Sequence, residues 1–136
     1  MSYVRTSGSG GQVMAVQAPL AFSQAGAVQN TWYTALDTIN VRIYAGYLLC
    51  TVANETLEIR LTLDGQAPVT TSQAAVAGTP YYFNFGTAND LALTSVWLSV
   101  VKAFLVEARH LKIEVRKTTN TGASAIQVYC ASARMT

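Results

Sequence analysis

The sequence predicts an all-β domain, a jelly-roll-like antiparallel β-sandwich of about eight strands, and three observations carry that expectation. Apolar and polar side chains alternate with a two-residue period: Leu57, Ile59, Leu61 and Leu63 against Glu58, Arg60, Thr62 and Asp64, then Leu111, Ile113 and Val115 against Lys112, Glu114 and Arg116. That is the period of a strand with one dry face. Turn formers interrupt the runs at fairly even spacing, at Asp64 and Gly65, at Gly86, at Asn89 and Asp90, and over residues 118–122, as in sandwiches and barrels. Finally, 136 residues suffice for one core that buries roughly two-thirds of the unfolded chain's surface, and not for a second.

Residues 1–12 are rich in Gly and Ser and read as a flexible N-terminal tail, leaving 13–136 as a single β-sandwich domain. The tail has no apolar h-region and does not read as a secretory signal. A first strand is expected over 13–17, closed by Pro19, and a second over 27–35 around Trp32 and Tyr33. The stretch from Ile39 to Gly65 is expected to be a central hairpin joined across Asn54 and Glu55. Its first run alternates at Ile39, Val41 and Ile43, but beyond Gly46 it is apolar on both sides through Leu48, Leu49 and Cys50. A strand with two dry faces calls for a second cover, from another sheet or another subunit.

Asp64 and Gly65 mark a tight turn, and Pro68 with Thr70, Thr71 and Ser72 suits an edge or loop segment. Residues 79–85 form another strand, with Tyr81, Phe83 and Phe85 on one face and Tyr82 on the other. Between Leu91 and His110 the period is mixed: Trp97, Val100, Val101, Phe104, Leu105 and Ala108 recur at helical spacing. The valines and the strand-rich neighbourhood favour strand and loop. Residues 111–117 and 126–133 are the closing strands, the last with Val128 and Cys130 facing one way and Tyr129 the other.

Only 12% of residues are charged and 51% are apolar, against about 25% charged in an ordinary soluble domain. So sparse a charge suits a chain held in an assembly. The net charge of +2 comes from scattered Lys and Arg with no stripe that would follow a phosphate backbone, so no nucleic acid partner is expected. The longest apolar run, 91–101, stops at Lys102, too short for a bilayer-spanning helix, and no membrane partner is expected.

No pattern points to catalysis. His110 is the only histidine, and no motif ties it to Cys130 and a carboxylate as a nucleophile with its base. Gly8 to Gly11 lack the lysine of a phosphate loop. The carboxylates Asp37, Glu55, Glu58, Asp64, Asp90 and Glu107 are dispersed, without the close spacing of a calcium loop. No enzyme activity, cofactor or metal is therefore expected. Cys50 and Cys130 read as two buried thiols in apolar strands, with a disulfide as the less favoured alternative. Glu58 and Arg60, like Glu114 and Arg116, are placed for cross-strand ion pairs.

The aromatics Trp32, Tyr33, Tyr44, Tyr47, Tyr81, Tyr82 and Trp97 admit two uses. They form a platform that stacks on sugar rings, or they fill the core and a subunit interface, where Tyr and Trp bury area and keep a polar tip satisfied. The second reading is favoured, with Tyr47, Leu48, Tyr82 and Trp97 as the candidate interface residues.

Three segments carry a family resemblance: NTWYTALD at 30–37, TLEIRLTLDG at 56–65 and AFLVEARHLKIEVRK at 103–117. Together they resemble small jelly-roll structural proteins of tailed bacteriophages, of the capsid-decoration, head-fibre or tail-appendage type. The resemblance implies a virion component, commonly a homotrimer, with one surface seated on a viral capsid or tail protein and another facing solvent. A capsid-decoration protein that stabilises the shell is the leading expectation. The alternative is a receptor- or glycan-binding module of a phage tail or fibre. No catalytic residue is implied.

Overall fold

The computed structural model describes residues 3–5, 13–16, 20–85, 91–94, 106–119 and 124–135. Ten strands lie among them: β1 (Tyr3–Arg5), β2 (Val13–Val16), β3 (Leu20–Gln24), β4 (Tyr33–Cys50), β5 (Glu55–Leu63), β6 (Val69–Ala75), β7 (Tyr81–Phe85), β8 (Leu91–Thr94), β9 (Val106–Lys117) and β10 (Ile126–Met135). All their pairings are antiparallel.

The pairings are nested. β5 pairs with β6, the second half of β4 with β7, the first half of β4 with β9, and β3 with β10. Two further ladders, β10 with β4 and β9 with β5, join these pairs into two four-stranded layers. One runs β3, β10, second half of β4, β7, with β8 added outside β7. The other runs first half of β4, β9, β5, β6. A ribbon of nested pairs wrapped into two facing sheets is the jelly roll, here hydrogen-bonded continuously through β4. The expected fold class is the observed one.

Between the layers lie Val41, Ile43, Leu57, Ile59, Leu61, Leu111, Ile113 and Val115 from one side and Leu48, Cys50, Tyr81, Phe83, Ile126, Val128 and Cys130 from the other, all buried. The inward residues of β5 and β9 are those that the alternation assigned. At β4 the alternation changes phase. Val41 and Ile43 point inward, and so do Gly46, Leu48 and Cys50. The register against β10 shows why: Ser132 faces Ile43 and Ala131 faces Ala45, so Tyr44 is an extra residue. A bulge of this kind turns the strand and shifts its inward set by one position. The run beyond Gly46 that looked dry on both faces follows the shift with a regular alternation: Gly46, Leu48 and Cys50 inward, Tyr47 and Leu49 half-buried on the outside.

One other expectation is corrected. The central hairpin does not form, because β4 and β5 belong to opposite edges of β9, which pairs with both. The segment expected to be a tail carries β1, in register with β2 at Tyr3 and Ala15, Val4 and Met14, Arg5 and Val13; residues 6–12 lie outside the described residues. In the stretch with helical spacing, Leu91–Thr94 and Val106–His110 are strand, while 95–105, including Trp97, lie outside the described residues. The Asp-Gly turn is as expected: Asp64 and Gly65 both have positive φ, and Gln66 N donates to Leu63 O at 2.8 Å.

Cys50 and Cys130 are free and buried. Cys50 is in register with Ile126 and Cys130 with Gly46, which places the two sulfurs four residues apart along β10. Burial pushes the Cys130 thiol up to about 12 and the Cys50 thiol upward as well, so neither is poised as a thiolate.

Gly46 is packed too closely to admit a side chain. A Cβ there would stand 2.6 Å from two ring carbons of Phe83 and 3.2 Å from Cys130 Sγ. Gly46→Ala is therefore expected to lower the unfolding free energy by about 1–3 kcal/mol through overpacking, measured by urea denaturation. Adding Phe83→Leu in the same chain should restore part of the loss. An unchanged midpoint would mean that β4 and β7 pack less closely here.

Candidate functional site

The two outer sheet faces carry different chemistry. On the layer holding β10, the second half of β4 and β7, three tyrosines fall in one cross-strand row. Tyr129 is opposite Tyr47, and Tyr47 is opposite Tyr82. The row extends to Ala21 of β3 on one side and Thr94 of β8 on the other. The bulge at Tyr44 helps create the row, because the phase shift that turns Leu48 inward turns Tyr47 outward. The Tyr47 and Tyr129 rings stack with centroids 5.4 Å apart and planes 11° from parallel, and Tyr82 meets Tyr47 edge-on at 6.0 Å and 77°. Cross-strand aromatic pairs of this geometry stabilise a sheet and also present a rigid apolar ridge.

Small residues flank the ridge and leave grooves beside it. One groove, about 220 Å³, is lined by Ala45, Gly46, Tyr47, Tyr82, Tyr129 and Ala131. The other, about 260 Å³, lies over β3 and β10 and is bordered by Ala21, Ser23, Tyr47, Gln127 and Tyr129. None of the described residues lining either groove is charged.

The outer face of the other layer is filled by ion pairs. Arg60 grips Glu114 with two hydrogen bonds, Nε to Oε1 at 3.0 Å and Nη2 to Oε2 at 2.9 Å, and Arg116 Nε donates to Glu58 Oε1 at 2.7 Å. These are the cross-strand pairs expected from the alternation, set directly opposite by the β5–β9 register. Both guanidinium groups pack on Trp32, their central carbons 4.2 and 4.4 Å from its ring centroid. Trp32 is thus engaged by this ladder, away from the tyrosine row.

The loops divide the molecule lengthwise. At one end gather residues 25–32, 51–54, 76–80, 118–119 and 124–125. Buried Ser124 ties the second of these down: its hydroxyl donates to Ala53 O and accepts from Ala53 N. Further ties run from Gly78 N to Cys50 O, from Ala77 N to Asn54 Oδ1, from Asn30 N to Lys117 O and from Gln29 Nε2 to Thr118 O. Val28, Val52 and Val76 project from these pinned loops at 60%, 68% and 53% exposure. None of the loop residues is charged. Toward the opposite end stand Asp37 with His110 at 2.6 Å, Arg42 with Glu107 at 2.7 Å, Asp64, Arg109 and Lys112.

Behind the uncharged end, Glu55 and Lys117 are both buried. Glu55 Oε1 is 4.0 Å from Lys117 Nζ and has no hydrogen-bond partner among the described residues, while Oε2 accepts from Thr119 Oγ1 at 2.5 Å. No group of three or more His, Cys, Asp or Glu side chains that would hold a metal occurs among the described residues.

Of the expected interface residues, the structure brings Tyr47 and Tyr82 together and sends Leu48 into the core, wholly buried. Trp97 lies outside the described residues. Tyr81, which the alternation sets on the opposite face from Tyr82, is buried there, and its hydroxyl oxygen accepts from Val76 N. Tyr129 completes the row and was missed as a partner of Tyr47, although its outward phase on β10 was legible from the alternation. His110 pairs with Asp37 and is far in register from Cys130, so no nucleophile and base meet.

Fold and surface define an antiparallel jelly-roll sandwich with one aromatic and one ion-paired outer face and an uncharged loop end. No family model and no curated protein matches the sequence. Among solved structures, the crystal structure of an infectious bursal disease virus VP2 subviral particle is similar over 91% of this chain, with 10% identity and a TM-score of 0.28. This chain spans 36% of that protein's length.

Proposed function

We propose that this chain is a virion structural protein of the capsid-decoration type, acting by attachment to a viral shell. The observation that carries the reading is the end with Val28, Val52 and Val76 exposed on loops that hold no charged residue. A rigid, charge-free apolar tip gains by being covered and loses little polar hydration on docking. The ion-paired face and the charged end keep the rest of the molecule in water. The phage resemblance of the sequence supplies the kind of shell, and sparse charge suits neighbouring copies packed around a trimer axis.

Val52→Lys combined with Val76→Lys is expected to reduce binding to cognate shells lacking this protein at least tenfold, measured by co-sedimentation, with the melting temperature unchanged. Both valines lie on the surface, so the substitution adds charge without opening the core. Full binding by the double variant, or no binding by the natural chain, would overturn the assignment.

A further inference from the structure

The groove over β3 and β10 differs from the attachment end in position and in chemistry. Tyr129 is 38% exposed. One side of its ring is taken by Tyr47, stacked nearly parallel. On its other side the register partner is Ala21, followed by Ser23, both outward-facing and exposed. Neither is large enough to cover an aromatic ring, so a flat hydrophobic surface borders a hollow of about 260 Å³. That is just below the roughly 300–1,000 Å³ of sites for drug-sized ligands.

The polar groups around this hollow are uncommitted. The side chains of Ser23, Gln127, Tyr47 and Tyr129 make no hydrogen bond among the described residues, and together they offer hydroxyl donors and acceptors and one amide. A ridge aromatic beside unpaired hydroxyl and amide groups matches a ligand with one C–H face and a rim of hydroxyls. None of the described residues that line it is charged, so a phosphorylated or acidic sugar finds no countercharge among them, and a neutral one fits better. The neighbouring groove on the Tyr82 side has no such polar rim: its lining of Ala45, Gly46, Ala131 and three tyrosines offers hydroxyls only from the tyrosines.

We propose that the β3–β10 groove is a binding site for a neutral hexopyranose unit, with Tyr129 as the stacking platform and Ser23 and Gln127 as the hydrogen-bonding rim. The site stands on its own whether or not the valine end seats on a shell, because the two share no residue.

The test uses methyl glycosides of glucose, galactose, mannose and N-acetylglucosamine, with glucose 6-phosphate as the charged comparison, read by saturation-transfer NMR on the full chain. At least one neutral sugar should bind with a Kd in the millimolar range and outcompete the phosphorylated one. Tyr129→Ala should weaken it at least tenfold, whereas Tyr129→Phe, which keeps the ring, should stay within about threefold. Ser23→Trp, at an exposed position, fills the hollow without touching the core and should abolish binding while leaving the melting temperature in place. The proposal is overturned if none of the four neutral sugars gives saturation transfer to the natural chain, or if Ser23→Trp binds as well as it does. A Ser23→Trp chain that binds no sugar better than before but loses molar mass by light scattering would instead make the groove a contact between copies, and would also overturn it.

Discussion

Glu55→Ala and Lys117→Ala are each expected to destabilise the fold by about 3–5 kcal/mol. Both side chains are withdrawn from water, at 0% and 2% exposure. Their separation of 4.0 Å and the orphaned Oε1 of Glu55 show that the attraction is not optimised. The pair's net contribution is therefore small, whereas the cost of stripping either partner from the other is large: the charge that stays buried loses this counter-charge and keeps its desolvation penalty. Removing both charges together should behave differently. Glu55→Leu with Lys117→Met replaces the pair with apolar groups of similar length, and urea denaturation should place it close to the natural chain or above it in stability. Single variants within 1 kcal/mol of the natural chain would mean that water reaches the pair. The Thr119 hydroxyl, which donates to Glu55 Oε2, would be left without its acceptor in either Glu55 variant.

Read from the sequence, Glu55 fell in a connection beside Asn54 and Lys117 was not singled out, although the strand period held the pair. The period that sends Leu57, Ile59 and Leu61 inward also sends Glu55 inward, and the one that sends Leu111, Ile113 and Val115 inward also sends Lys117 inward. Chemical type argued for the surface, and geometry followed the period, because strands that pair over their whole length cannot turn one side chain outward without a bulge. Where a bulge occurs, the sequence misleads in the opposite sense. At Tyr44 the backbone gains one residue against β10, and nothing local to that position announces it: Tyr44 is an ordinary strand residue. The same kind of limit applies to pairing. Alternation shows which side of β5 is dry, but one of its two neighbours, β9, supplies partners 48 to 60 positions away, so the connection through Asn54 was read as a hairpin when it passes from one layer to the other. The tyrosine row was half visible for this reason. Tyr47 and Tyr82 were singled out by type, and their meeting with Tyr129 depends on three strands distant in sequence.

Leu48→Ala separates the two readings of β4, and it is expected to cost about 2–5 kcal/mol in unfolding free energy with no change in molar mass across a dilution series. Leu48 is wholly buried, in register with Val128 on one side and Tyr81 on the other, both themselves core residues. Truncation leaves a cavity between the layers that close packing on both sides keeps from collapsing, so the loss should fall on folding. Were the strand in unbroken phase from Val41 onward, Leu48 would stand on the outer face and Tyr47 inside. Leu48→Ala would then leave urea stability almost untouched and weaken association between copies. Light scattering and denaturation on one preparation decide between these outcomes, since each moves a quantity that the other leaves fixed. The first outcome requires the extra residue at Tyr44, and with it the outward turn of Tyr47 on which the aromatic row and the groove beside Tyr129 both depend.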